Sequence, residues 1–346
     1  MPRLALILLA LMLVLKLKAG EPENAHDVPA GGEAGAPTVR AAPPHDLSGR
    51  GLLDLRDPMP FAGLHLQLPI DTLQHMSAGE GKLEVAASWA NSFILAKTFV
   101  VDAETYRLSL GGWYALLDDL YVGAELPVHA RDSGVLDPLI DGVHNTLNVG
   151  DGDRSKRDRN EYEISIQDPS GGTHELDRGI GFGDFVLKAH WNVHPGAKWY
   201  PAVSIEGLLG LPTSTNGFGS SGVDVGFAIG FSKNFFDWFY LYAALGGTYF
   251  TDSSTQGIHY EREGYQAVVG AEIELVKSIS LVLQSMNYSP LLDRPSPLNK
   301  KRNYVAGGLK VEYLKGYTFE ISVVENLHPF TSSADIGLST SFGFRF

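Results

Sequence analysis

The closing residues of the chain, Ile336 to Phe346, read IGLSTSFGFRF and alternate without a break. One set is Ile336, Leu338, Thr340, Phe342, Phe344 and Phe346; the other is Gly337, Ser339, Ser341, Gly343 and Arg345. A β-strand sends successive side chains to opposite faces, so one face here is apolar and aromatic and the other small and polar. In a soluble sheet a strand with an aromatic face at a free terminus invites edge-to-edge association. Against a bilayer the same face meets lipid, and the glycine, serine and arginine face lines a lumen. Phe342, Phe344 and Phe346 have the form of the C-terminal assembly signal of outer-membrane barrels, which implies the barrel-assembly machinery as a partner. A closing strand of a soluble sandwich is the other reading of this stretch alone.

Similar rows recur upstream from Lys82. Examples are Leu83, Val85, Ala87 and Trp89; Tyr106, Leu108 and Leu110; Phe185, Leu187, Ala189 and Trp191; and Tyr317, Phe319, Ile321 and Val323. The segment from Trp238 to Phe250 is apolar on both faces, which leaves its orientation open. The connections alternate in length. Leu117–Asp119, His194–Lys198, Lys233–Asp237, Val276–Ser278 and Leu314–Gly316 are short. Ser92–Ala103, Arg131–Gly181, Pro212–Gly222, Thr251–Glu263, Ser289–Asn303 and Asn326–Asp335 are long and polar. Short turns on one rim and long loops on the other are the layout of outer-membrane barrels. Trp191, Trp199, Tyr200, Phe235, Phe236, Trp238, Tyr313 and Tyr317 cluster near the short turns, as an interfacial aromatic girdle does. Parity gives an even count of about twelve strands if Arg131–Gly181 is one excursion and Tyr162–Ile166 is a hairpin arm or strand extension. The expected fold is therefore all-β: a transmembrane antiparallel up-and-down barrel over residues 82–346.

Composition narrows the partners. A net charge of −13 argues against nucleic acid. The absence of cysteine removes thiol catalysis, disulfides, lipoprotein anchoring and Cys-based zinc sites. No apolar run reaches the roughly twenty residues of a spanning helix. The N-terminal MPRLALILLALMLVLKLKAG carries an early arginine and a short apolar core, which reads as an export signal over residues 1–20. Removal of that signal on export to the outer membrane of a Gram-negative bacterium is expected, at a cleavage point the sequence leaves open. Residues 21–50 are rich in proline, glycine and alanine and read as a flexible linker. Residues 51–81 are more apolar but broken by Pro58, Pro60 and Pro69; they either plug the lumen or pack at its periplasmic mouth.

WANSF (Trp89–Phe93), VDAETYRL (Val101–Leu108), ELPVHARDSGVLDPLIDGVHNTLNV (Glu125–Val149), GFGDFVLKAHW (Gly181–Trp191) and GLPTSTNGFGSSGVDVGFAIG (Gly210–Gly230) follow one another in this order. Together they resemble domain-of-unknown-function family 3187, found in Gram-negative bacteria and regarded as outer-membrane β-barrels. The resemblance runs from about Leu55 to Phe346 and implies fold and location. It brings no activity and no site residues, and the first sixty or so residues depart from it.

With the polar face inward, the candidate lumen lining is Glu84, Arg107, Glu125, His129, Asp184, Lys188, His190, Glu206, Asp224, Glu272, Glu274, Lys310, Glu312, Glu320 and Arg345. This acid-leaning set favours cations or hydroxyl-rich solutes in an open pore. Alternatively the charges pair with one another and fill a narrow interior. Leu136, Ile140, Val143 and Leu147 fall at helical spacing, so a short helix is expected in the long excursion. It would constrict the pore or cap its mouth. The run GDGDRSKRDRNE (Gly150–Glu161) lacks the spacing and closing glutamate of an EF-hand, so no metal site is expected there. Arg154, Lys156, Arg157 and Arg159 could meet lipid phosphates at the outer surface. No G-x-S-x-G, H-E-x-x-H or P-loop occurs, and His144, His174, His259, Ser220 and Ser221 form no catalytic grouping in sequence. The expectation is a passive channel or uptake porin with no catalytic residue and no cofactor, with outer-membrane lipid and an unidentified small solute as partners. A non-conducting structural or binding barrel is the alternative, and a lipid-modifying enzyme a more distant one.

Overall fold

The structure is a computed structural model and describes residues 50–69, 75–135, 138, 142, 156–158, 160–168, 170–313, 316–327 and 332–346. Its strands are β1 (Gly81–Leu95), β2 (Phe99–Leu117), β3 (Leu120–Asp132), β4 (Glu163–Gln167), β5 (Thr173–Glu175), β6 (Gly179–Phe182), β7 (Phe185–His194), β8 (Ala202–Leu211), β9 (Asp224–Phe236) and β10 (Phe239–Phe250). They continue as β11 (Ser254–Thr255), β12 (Ile258–His259), β13 (Glu263–Val276), β14 (Ile279–Tyr288), β15 (Arg302–Tyr313), β16 (Tyr317–Asn326) and β17 (Ile336–Arg345). Twelve of these, β1–β3, β7–β10 and β13–β17, pair antiparallel with their neighbours. The circle closes where β1 meets β17 on one side and β2 on the other, while β2 also pairs with β3. A closed barrel leaves no edge strand, which removes the association hazard of the terminal strand. The last residue joins that closure: Phe346 and Gly81 exchange backbone hydrogen bonds at 2.9 and 3.0 Å.

The alternation fixes inside and outside. Leu83, Leu110, Val122, Leu187, Phe227, Leu245, Val269, Ile321 and Phe342 point outward and are exposed, a belt of large apolar side chains around the barrel. Trp191, Trp199, Tyr200, Phe235, Phe236 and Tyr313 are exposed near the short turns. In the stretch that is apolar on both faces, Leu241 and Leu245 are exposed outward, while Tyr240 and Tyr242 are buried inward.

One expectation about connections is revised and another holds. Ser92–Ala103 is not a long loop: β1 and β2 continue past it as a ribbon joined through residues 96–98. Ile94, Phe99, Val101 and Ala103 stay apolar there because they bury into the interior core at the long-loop end. β4 pairs with Phe99–Asp102 and β5 with β4, so Tyr162–Ile166 extends this ribbon and is not a separate span. β6 and β7 both pair with β3 and act as one strand broken at Gly183–Asp184, opposite Pro127. Proline has no N–H to give the ladder, which suits the break. The expected helix carried by Leu136, Ile140, Val143 and Leu147 lies outside the described residues, as do the proposed signal and most of the linker.

Candidate functional site: the lumen and its inner segment

The lumen contains chain. Residues 50–69 run inside the barrel with one short 3₁₀ turn, Ala62–Leu64, and no other regular structure. Leu52, Leu53, Leu55, Met59, Phe61, Leu64, Leu66 and Leu68 are all buried. A buried stretch without secondary structure must find partners for its backbone groups elsewhere. Side chains of the wall supply many of them. Gly51 N–H donates to Glu272 (3.0 Å), Leu53 N–H to Gln284 (2.9 Å), Asp54 N–H to Glu320 (3.1 Å) and Leu66 N–H to Asp224 (2.9 Å). Lys310 donates to Leu52 O at 2.8 Å, Thr105 to Pro58 O at 3.3 Å and Tyr260 to Phe61 O at 3.3 Å.

The path of the segment is a hairpin. Arg50 sits beside Glu272, Glu274 and Ser280, near the short turns at Asp237 and Ser278. Asp57 pairs with Arg302 at the start of β15, toward the long-loop rim, and accepts from Tyr304 at 3.1 Å. His65 Nδ1 lies 3.1 Å from Asp224, and its ring stands 4.3 Å from the rings of both Phe250 and Tyr260. Leu66 and Leu68 then turn back over β8, β9 and β10, where glycine makes room: a Cβ at Gly226 or Gly246 would fall 2.6 or 2.5 Å from Leu68. At the short-turn rim, Arg345 donates to His75 O at 2.8 Å and Met76 N–H to Tyr121 at 3.1 Å. The tip of the hairpin packs in one apolar core with Ile164, Ile166 and Leu176 of the long excursion, and with Ile258, Leu291, Leu292 and Leu298 of other loops.

The candidate lumen residues come together around this segment. Glu272 accepts from Arg50 (3.1 Å), Gly51 N–H and Tyr242 (2.6 Å), and Arg50 also lies over the Tyr240 ring. Glu125 gathers Arg107, Lys188 (3.4 Å) and Arg56 (3.3 Å). Lys188 also stacks its ammonium over Trp113, 4.4 Å from the centroid. Lys310 pairs with Glu320 at 2.8 Å, and Glu84 pairs with Lys82 and accepts from Trp113. Glu206 is buried on the inward face of β8, within electrostatic reach of Arg56. His129 packs beside Gly63, and His190 stacks on Tyr121 with its Nε2 3.0 Å from Asn192. Glu312 and Arg345 sit near the short-turn rim. Asp184 departs from the lumen lining. It lies in the break between β6 and β7, and its carboxylate accepts from the backbone N–H groups of Thr213, Ser214 and Ser220, so it holds a loop.

Sequence reasoning missed the inner partners Arg50, Asp54, Arg56, Asp57 and His65, together with Arg302 and Tyr304 on the wall. The signal was there in LLDLRDP, where charges interrupt an apolar run too short and proline-broken for a strand. Three cavities line the segment's path, with volumes of about 70, 50 and 40 Å³. Each holds at most a few waters.

Loop groups outside the barrel serve structure. Ser220 Oγ donates to Gly222 O at 2.9 Å, and Arg157 pairs with Asp102, Glu161 and Glu163. Hydrogen bonds from Ser170, His174 and Gly172 N–H hold the Asp168 carboxyl well below the usual range. Burial pushes the Tyr162 hydroxyl up to about 12 against the pull of Arg131.

A closed antiparallel barrel with an apolar exterior, a polar wall inside and unequal rims has the fold of a transmembrane β-barrel. The chain belongs to the DUF3187 family, described as a protein of unknown function, whose sequence pattern matches residues 38–346. The match reaches back beyond Leu55 and takes in the whole inner segment, so the first sixty residues do not all stand apart from the family. The COG4313 outer membrane channel from Pseudomonas putida F1 is similar in fold: TM-score 0.50, 11% identity, covering 80% of this chain and 97% of that one. The NanC porin overlaps less well, with TM-score 0.44 and 9% identity over 76% of this chain and 98% of that one. The CymD monoaromatic hydrocarbon channel gives TM-score 0.38 and 14% identity over 78% and 89%. Comparison with the curated proteins found no match.

Proposed function

We propose that the protein is a gated passive channel of the Gram-negative outer membrane, closed in this state by its own residues 50–69. One observation carries the reading: the wall is complete without the segment that fills it. All twelve strands pair around the circle, and inward positions such as Gly226, Ala228, Ala244, Gly246, Gly270 and Gly308 are small. A barrel of about eight strands fills its interior with its own side chains, and a wider one leaves room. Here space is left and a separate stretch of chain occupies it, held by ion pairs, single hydrogen bonds and buried apolar side chains. The short-turn rim then faces the periplasm and the long-loop rim the exterior. Residues 1–20 direct export and are removed, and Phe346 serves assembly.

The cysteine-free sequence allows a reversible test. The Leu66 Cβ lies 3.6 Å from the Cβ position of Gly210, within the roughly 3.5–4.5 Å that a disulfide spans. In planar bilayers the native protein is expected to show intermittent openings. Leu66→Cys/Gly210→Cys should be silent when oxidised and recover those openings on reduction. No conductance from the native protein or the reduced variant would remove the channel reading and leave the structural barrel.

A further inference from the structure

The inner wall is electrically divided. From β8 through β14 the inward charged residues are Glu206, Asp224, Glu272 and Glu274, and no inward position of these strands carries lysine or arginine. On the remaining strands the inward cations, among them Arg107, Lys188, Arg302 and Lys310, outnumber the inward acids Glu84, Glu125, Glu312 and Glu320. The segment inside is divided in the matching sense. Its Arg50 reaches Glu272 and Glu274, and its His65 reaches Asp224, on the acidic arc. Its Asp57 reaches Arg302 on the basic arc. The lumen thus already holds a piece of peptide whose Arg50 and His65 meet the acidic arc and whose Asp57 meets the basic arc, where its Arg56 joins Glu125 beside Arg107 and Lys188.

We propose that the solutes favoured by this lumen are small zwitterions of the amino-acid or betaine type, which align their ammonium with the acidic arc and their carboxylate with the basic arc. This rests on the channel reading and adds the solute class. Opposed arcs of charge across a narrow low-dielectric passage make a transverse field. A zwitterion entering it exchanges oriented water for both arcs at once. An anion or cation gains from one arc and is repelled by the other, and an uncharged solute recovers neither interaction. When the segment withdraws, the wall groups that held Arg50, Asp57 and His65 become the groups a solute meets.

The test uses the full-length protein in liposomes and planar bilayers. Swelling rates are measured with glycine betaine and with erythritol, an uncharged solute of similar size. Swelling with betaine is expected to be several-fold faster. Zero-current potentials in a potassium chloride gradient should show weak ion preference in the native protein. Glu272→Gln/Glu274→Gln should move it toward chloride, and Arg107→Gln/Lys310→Gln toward potassium, with heat-modified gel mobility confirming that each barrel is folded. Conductance with equal betaine and erythritol rates, or with no opposite shift between the variants, would overturn the zwitterion proposal and leave the channel. No conductance at all would overturn both.

Discussion

The barrel wall and the segment inside it are both extended chain, yet they solve the same problem in opposite ways. Wall residues satisfy their backbone groups against neighbouring strands, so any side chain of suitable polarity fits each face. The inner segment has no neighbour strand, so its backbone depends on named side chains: Glu272, Gln284, Glu320, Asp224 and Lys310. A ladder tolerates single substitutions; a set of individual anchors does not. On the gating proposed above, the wall persists while the segment leaves once its anchors fail and its apolar side chains give up their packing.

The sharpest way to break this contrast is to remove the segment. Deletion of residues 50–69 should leave a folded barrel, read as heat-modifiable gel mobility, and raise the open fraction in bilayers at least tenfold. Loss of the barrel on deletion would make the segment part of the scaffold and erase the distinction. Next in size is the Asp57–Arg302 anchor, buried on both sides. Asp57→Ala leaves Arg302 without its carboxylate, a defect of about 3–5 kcal/mol for a buried pair. It should appear mainly as frequent openings in single-channel records, with little change in the barrel's unfolding. The wall is probed from outside by Leu245→Arg, at the middle of β10 and 57% exposed. A cation there should lower stability in lipid by about 2–4 kcal/mol in urea unfolding while leaving gating alone. The smallest effect belongs to the β4–β5 hairpin. Asp168→Ala should speed amide exchange at Ser170 and Gly172 a few-fold without altering conductance. Because its folded carboxyl pKa is depressed, the contribution of Asp168 is complete above the ordinary carboxyl value and lost only as pH falls through the lower one.

The contrast also explains what the sequence discloses. Period-two alternation is imposed by the ladder, so the outward rows, the rims, the strand count and most inward charges are legible from residues such as Phe227, Ile321 and Glu272. The segment obeys no period. Arg50 and Asp57 are placed by wall residues more than two hundred positions away, and nothing local encodes that pairing. Arg302 was overlooked because it opens β15 just where the preceding loop ends, and Asp184 was misplaced because a break between strands suspends the alternation on which its assignment relied.

Both feet of the inner hairpin, Arg50 beside Glu274 and His75 beside Arg345, stand at the same rim. In the withdrawal proposed above its tip retreats the way it came, without any part of the chain being threaded past the apolar cover at the far end. Force on the chain ahead of Arg50 would load the Glu272 and Glu274 contacts first and Asp57 afterwards. Such a peel proceeds one anchor at a time, so a modest sustained tension from the near side can do what a simultaneous rupture of every contact could not.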